Sequence, residues 1–382
     1  VSYSLTGTPP DAAYCNALTK LSMNTPYRPT TTDKELGFVV AALGNDELTY
    51  EKKHEFNFGV DAGFFNNRLN VTFDVYQRRN FDEIAPTVTQ LYGTAYANVG
   101  SMKSWGEELS ISSTNIKTQD FSWQTSLIYS HNRTEITDLY NQGRVIDLVQ
   151  GNGFAKQGYP ARALFSIPFV GINEKGYPVC INEKGQATVG NLNFQERDNT
   201  DYLIYEGSTD PVYNGSLGNT FNYKGFHLNV FLTYAFGNVV RLDPAFSAKY
   251  NDLTSMTHDF KNRWMQPGDE NVTNVPGVVS RYEYEQNSTL LATAYNAYNY
   301  TSVRTAKGDF IRLKEISLAY DFPHRWFEKS PVNNISLKLQ ATNLMLLYAD
   351  KKLNGQDPEF MNAGGVASPM PKQFTLTLKL GL

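Results

Sequence analysis

Apolar and polar residues alternate one for one along much of this chain, most regularly over Lys52–Arg79. Phe56, Phe58, Val60, Ala62 and Phe64 interleave with Asn57, Gly59, Asp61 and Gly63. Leu69, Val71, Phe73 and Val75 then interleave with Asn70, Thr72, Asp74 and Tyr76. A period of two sends one set to each face of a sheet. Asn66 and Asn67 between the runs tolerate positive φ, so the segment predicts a hairpin with a tight turn. Its arms are about ten residues long, enough for a tilted strand to cross the hydrocarbon core of a bilayer.

The unit recurs. Trp105–Thr114 and Phe121–His131 form a second pair, turned over 115–120. Tyr213–Tyr223 and Phe226–Phe236 form a third, turned at Lys224-Gly225. Phe310–Phe322 and Asn334–Asn343 form a fourth, and Gln373–Leu382 is a last strand. Within Phe310–Phe322 the apolar phase changes. Ile311 and Leu313 share one parity, while Ile316, Leu318, Tyr320 and Phe322 share the other. That change predicts a β-bulge near Lys314-Glu315. Leu69, Val71, Phe73, Leu228, Val230, Leu337, Leu339, Leu376 and Leu378 are expected on one common face, with Leu337 near its middle.

Short connections alternate with long ones. Residues 1–51 lack periodicity, carry Pro9, Pro10, Pro26 and Pro29, and read as loop with a short helix near Asp11–Leu18. Residues 80–104, 132–212, 237–309 and 344–372 read as long loops. Loops beyond ~15 residues are uncommon in compact soluble domains. Repeated at every second junction, they match an outer-membrane barrel with short periplasmic turns and long extracellular loops. Aromatics gather at strand ends, with Phe64, Trp123, Tyr223 and Phe226 near short turns and Tyr76, Trp105, Phe236 and Phe310 near long loops. This suits two interfacial girdles. A soluble carbohydrate-binding β-sandwich shows the same alternation with its apolar face inward; the loop asymmetry and the girdles favour the barrel.

Composition agrees. Aromatics are 13% of 382 residues, and no apolar run approaches the ~18 residues of a membrane helix, which says nothing against membrane strands. The net charge is -4 without a long Lys/Arg run, which argues against nucleic acid as a partner. The chain starts at Val1, and about nine strands is an odd count where single-chain bacterial barrels have even numbers. Both features are read as a piece of something longer, its N-terminal part lying outside this sequence.

No catalytic set emerges, so the chain is read as a non-enzyme. His54, His131, His227, His258 and His324 are scattered without a ligand partner at metal-binding spacing, and His227 sits on a polar strand face. Gly151–Gly158 is glycine-rich but lacks the closing Lys-Ser/Thr of a phosphate loop. Asp357-Pro358-Glu359 offers two carboxylates that a cation could bind, but it reads first as a capped turn. Cys15 and Cys180 are expected as two unrelated thiols rather than a disulfide.

Five ordered segments carry a resemblance: LTYEKKHEFNFGVDAGFFNNRLNVTFDVYQRR (48–79), NVGSMKSWGEELSI (98–111), DPVYNGSLGNTFNYKGFHLNVFLTYAFGN (210–238), GDFIRLKEISLAYDFP (308–323) and TNLMLLYADKKLNGQDPEF (342–360). Together they resemble the C-terminal barrel portion of SusC/RagA-like TonB-dependent transporters of Bacteroidota outer membranes. One departure is the C-terminus, which ends Leu380-Gly381-Leu382 where such barrels often end in an aromatic residue. The resemblance implies an all-β transmembrane antiparallel barrel of roughly 22 strands around an N-terminal plug. Residues 52–382 would be its C-terminal portion, and residues 1–51 the tail of an extracellular loop. It also implies a SusD-like surface lipoprotein lid, a TonB–ExbB–ExbD partner acting through the N-terminal region, and no cofactor.

The functional expectation is therefore active import of nutrient oligomers, oligosaccharides first. An oligopeptide importer and a non-transporting surface glycan-binding barrel are the alternatives. Aromatic residues interleaved with charges in 237–309, together with two tyrosines of 80–104, mark the candidate substrate surface: Tyr92, Tyr96, Trp264, Tyr282, Tyr284 and Arg304. Aromatic faces in long loops either stack on a ligand or pack the loop against itself, and both readings stand here.

Overall fold

Ten strands pair in the order in which they occur in the chain, each antiparallel to the next. The computed structural model describes residues 1–11, 18–24, 37–42, 44–89, 93–250, 253, 255–328, 331–361 and 371–381. The strands are β1 (Ser2–Thr8), β2 (Glu51–Phe64), β3 (Leu69–Thr89), β4 (Gly93–Lys117), β5 (Phe121–Leu139), β6 (Tyr213–Tyr223), β7 (Phe226–Phe236), β8 (Phe310–Asp321), β9 (Asn334–Ala349) and β10 (Gln373–Gly381). The short turns β2–β3, β4–β5, β6–β7 and β8–β9 all leave one end of the sheet, and the long connections leave the other. Phe65, Asn66 and Asn67 adopt positive φ in the first turn, as Lys224 and Gly225 do in the third. Asn and Gly bear that conformation at low cost.

Register turns the alternation into two continuous surfaces. Val71, Ile111, Leu127, Leu217, Leu232, Leu313 and Met345 are successive cross-strand partners from β3 to β9. Phe221, Leu228, Leu318, Leu339 and Leu376 make a second apolar row. The opposite face is mostly polar, with Thr72, Ser110, Ser216, Thr233 and Arg312 in one row that Ile128 interrupts. The apolar face is bare: Leu376 is 68% exposed, Leu378 60% and Leu339 53%. A sandwich would cover these side chains with a second sheet. Lipid covers them in a membrane barrel.

The bulge falls where the phase change placed it. Phe231 pairs with Glu315 and Leu232 with Leu313, leaving Lys314 as the extra residue. The nine strands read from the sequence are all present. Leu337, however, lies three residues from the start of β9 and opposite Tyr320, whose ring packs on Phe226 at 4.4 Å between centroids. It therefore sits close to the short-turn girdle, not at the middle of the band as expected.

Three loop expectations are corrected. Within residues 1–51, Ser2–Thr8 is a strand paired to Glu51–Asn57, and Lys20–Asn24 pairs with Gly37–Ala42. The alternation in SYSLTGT is too short and too weakly apolar to signal a strand. Residues 80–89 and 93–104 are strand, not loop: β3 and β4 continue as a ribbon beyond the rest of the sheet, through register shifts between Asn80 and Ile84. Asp82 there has a φ of 58°. A bulge resets the phase and so hides the alternation from a period-two reading. β5 and β9 likewise run on to Leu139 and Ala349. The helix expected near Asp11–Leu18 falls largely on residues outside those described, as do Cys15 and Tyr92.

The two longest connections, 140–212 and 237–309, fold together into a lobe at the long-loop end. One core joins α1 (Val145–Val149) with Phe165, Ile167, Cys180 and Leu203. A second joins Phe246, Ala248 and Val279 with Leu291, Ala294, Tyr295 and Tyr298 of α3 (Ser288–Asn299), which follows α2 (Arg281–Gln286). Ala297 of α3 reaches the first core, so this helix ties the two connections together. A third, smaller core packs Leu353 of the last connection against Val240, Leu242 and Ala306.

Candidate functional site

α3 sets the geometry of the lobe. Tyr295 and Tyr298 project from its buried side, each only 2% exposed. The Tyr298 ring meets Phe246 at 5.0 Å and Phe169 at 5.7 Å. The Tyr295 hydroxyl donates to the Gly277 carbonyl. Burial pushes both phenols above their ordinary pKa. Asn299 closes the helix by donating to the Phe246 carbonyl at 2.8 Å and accepting from the Phe246 N–H at 3.1 Å. A buried side-chain amide satisfied in both senses fixes one loop conformation.

Three buried arginines pin connections to one another. Arg241 donates to the Thr301 carbonyl at 2.8 Å and the Phe165 carbonyl at 2.6 Å, and its burial lowers its pKa to about 10. Arg304 donates to the Asp243 carbonyl at 2.9 Å, pairs with Asp259 at 3.3 Å and lies over the Phe246 ring at 4.9 Å. Arg312, on the polar face of β8, grips Asp357 at 2.6 Å and Glu359 at 3.0 Å. Asp357 also accepts from the Glu359 N–H, so Asp357-Pro358-Glu359 is the capped turn read from the sequence. Its cation is an arginine of the chain.

The six residues marked as a substrate surface have different fates. Arg304 is 3% exposed and its contacts are the structural ones just given. Trp264 lies against Gly176 and Gly277, where an added Cβ would come within 2.5 and 2.8 Å of its ring. Its indole N–H donates to Glu270 at 2.9 Å and holds that carboxyl below its ordinary pKa. Tyr284 packs against the second core. Tyr282, one turn-face away on α2, is 73% exposed. Tyr96 lies on the β3–β4 ribbon, away from the lobe residues in the chain, with its carbonyl accepting from Asn45 at 2.8 Å. The lobe thus gathers Trp264, Tyr284 and Arg304 as framework and leaves Tyr282 as the open ring.

What the sequence reading missed is a cavity of about 260 Å³ between the ribbon and the lobe. Met102 and Ile136 line it from the polar face of the sheet, together with Ile84, Val99 and Leu139, and Phe154 closes it from the lobe. Glu83 is its half-buried acid, and burial raises its carboxyl pKa. The apolar residues of 80–104 were the available signal, masked by the bulge. Cys180 is no part of a site: it is 1% exposed, and burial raises its thiol pKa to about 12.

Residues 2–243 match the family model described as "TonB dependent receptor-like, beta-barrel". Relatives include TonB-dependent receptor P3 of Formosa agariphila, 25% identical over 382 residues that cover 94% of this chain and 35% of that protein. TonB-dependent receptor SusC of Bacteroides thetaiotaomicron is 27% identical over 356 residues, covering 88% and 32%. The structure of the RagAB peptide transporter superimposes with a TM-score of 0.75 at 24% identity, covering 99% of this chain and 40% of that one. The RagAB peptide importer in its closed-closed state gives 0.74 at 25% identity, covering 99% and 40%. The chain spans about a third of the length of the curated relatives it matches.

Proposed function

Because this chain belongs to the TonB-dependent receptor-like β-barrels of the outer membrane, we propose that it forms the wall and the cargo-gating mouth of an active importer of nutrient oligomers. The relatives are receptors and transporters rather than enzymes. The observation that carries the proposal is the continuity of the polar face. It runs from the short-turn end up to the ribbon, where it turns apolar and is roofed by a folded lobe over the cavity at Glu83. A wall that is polar within and apolar outside conducts a hydrophilic cargo through lipid.

An oligosaccharide cargo would need open rings. Of the rings expected for stacking from 237–309, Tyr282 is the open one, while Trp264 and Tyr284 serve the lobe. A mostly apolar cavity with the half-buried Glu83 carboxyl and the more exposed Asp138 on its lining suits an oligopeptide carrying an aliphatic side chain, and the likeness to the RagAB peptide importer favours that reading. We therefore place oligopeptides ahead of oligosaccharides. Val272, Met265 and Tyr282, exposed on the lobe, suit contact with a SusD-like lipoprotein lid. TonB would supply the energy, as the names of the related TonB-dependent receptors suggest.

Uptake of isotope-labelled oligopeptides and oligosaccharides by cells lacking the gene, with and without complementation, tests the proposal. Gene-dependent and TonB-dependent uptake of either class supports import, and the class taken up names the cargo. Uptake of neither, with surface binding retained, would leave the non-transporting glycan-binding barrel. Met102→Arg, which fills the cavity with a charge, is expected to abolish peptide uptake while heat-modifiable gel migration shows a folded barrel.

A further inference from the structure

The outer face carries one charged sector immediately beyond its apolar band at the long-loop end. Arg79 of β3 lies directly opposite Lys103 of β4, and Arg133 of β5 lies opposite Trp105. All share the parity of Val75, Leu109 and Leu127, so they stand on the lipid-facing surface. Counted from its own short turn, Arg79 stands ten residues along β3, Arg133 twelve along β5 and Lys103 fourteen along β4, at or past the ~10 residues that span the hydrocarbon core. At the matching height β6, β7 and β9 carry Tyr213, Phe236 and Tyr348 instead.

Two like charges opposite one another on adjacent strands destabilise a sheet. Here Arg79 and Lys103 are such a pair. Lys103 is bound to Glu135 at 3.0 Å, but among the described residues neither Arg79 nor Arg133 has a carboxylate partner. Lys103 and Arg133 flank the Trp105 ring at 5.8 and 5.7 Å. Beside Arg133 the lobe overhangs the sheet and encloses a cavity of about 230 Å³, bordered by His131, Tyr205 and Asp210. Asp210 is engaged by Arg162 at 2.7 Å. Glu107 lies one pair nearer the short-turn end, ~5 Å lower along the membrane normal.

We propose that this sector is a binding site for the phosphorylated headgroup of an outer-leaflet glycolipid. The phosphate sits between Arg79, Lys103 and Arg133, the saccharide occupies the cavity under the lobe, and the acyl chains run down over Leu109 and Leu127. Phosphate supplies the acceptors that the two arginines lack, and Arg binds it through paired N–H donors. The apolar face directly below selects a lipid over a soluble anion. The site is independent of cargo and of the transport reading.

The test uses the protein purified from outer membranes in detergent, with a fluorescent phosphorylated lipid A-type glycolipid as probe and its enzymatically dephosphorylated form as control. The wild-type protein is expected to bind the phosphorylated form and to lose affinity as salt rises. At about fivefold per cation, R79Q/R133Q should bind roughly 30-fold more weakly. Tyr348→Gln, at the same height on β9 and away from Arg79, Lys103 and Arg133, should bind like wild type. Equal affinity for the dephosphorylated glycolipid would overturn the proposal, as would unchanged binding by the double variant. Displacement of the probe by millimolar inorganic phosphate alone would also overturn it, by showing a free-anion site. The dephosphorylated control needs no variant, so the test stands even where R79Q/R133Q fails to fold.

Discussion

Replacing Val230 with Arg tests the orientation of the whole sheet. Phe226 and Phe236 end β7 and are ten residues apart. At ~3.4 Å per residue and a tilt of ~45°, that separation covers ~24 Å of the membrane normal, close to the ~25 Å apolar band of outer-membrane barrels. Val230 is four residues from Phe226 and hence ~10 Å into the band, near its middle. Its cross-strand partners are Asn219 and Ile316. An arginine there should cost ~2–4 kcal/mol. Asn229→Arg moves the same charge one residue along and onto the polar face, where it replaces a 3.3 Å hydrogen bond from Thr220 and remains hydrated. Its cost should stay near the ~1 kcal/mol of one hydrogen bond. Leu337→Arg, close to the short-turn girdle, should fall towards ~0–1 kcal/mol. Urea titrations of folding into lipid vesicles, read by heat-modifiable migration and tryptophan fluorescence, give the three differences. Equal costs at Val230 and Asn229 would mean that neither face meets lipid. A Leu337 penalty matching that of Val230 would refute the depth derived from the register.

The lobe and its tethers give further expectations. Asp357→Asn removes a carboxylate from the buried Arg312 guanidinium; with Glu359 left as a partner, the loss should fall at or below the ~3–5 kcal/mol typical of a broken buried pair. Limited proteolysis should then cut residues 351–361 first. Gly176→Ala places a Cβ within 2.5 Å of the Trp264 ring at a φ of +79°, and should destabilise the lobe by ~1–3 kcal/mol, seen as faster hydrogen exchange in 264–277 while the sheet is unchanged. The Cys180 thiol, with a pKa raised to about 12, should resist iodoacetamide at pH 8 in the folded protein and react once the lobe unfolds. Folding holds that proton more tightly than the unfolded chain does, so the stability of the lobe is whole below the ordinary thiol value of ~8.5 and declines as pH rises from there towards about 12.

The sheet was legible because each strand reports its own two faces. Leu69 to Val75 and Gln373 to Leu380 carry a full period-two signal, and even the Lys314 bulge announces itself as a change of parity between Leu313 and Ile316. At Asn80–Ile84 one irregularity adds a residue to β3 and the next adds one to β4, so both strands change parity just where they leave the apolar band. The ribbon therefore read as loop, and the cavity it walls was lost with it. The aromatic cluster failed to declare its role for a different reason. A tyrosine that stacks on a ligand and one that fills a core have the same local sequence; burial separates them, and burial depends on what the other connection does. Tyr295 and Tyr298 are closed off by Phe169 and Tyr177, which lie more than a hundred residues earlier in the chain. Only the meeting of the two connections on α3 makes a packed lobe out of what each sequence segment presents as an exposed loop.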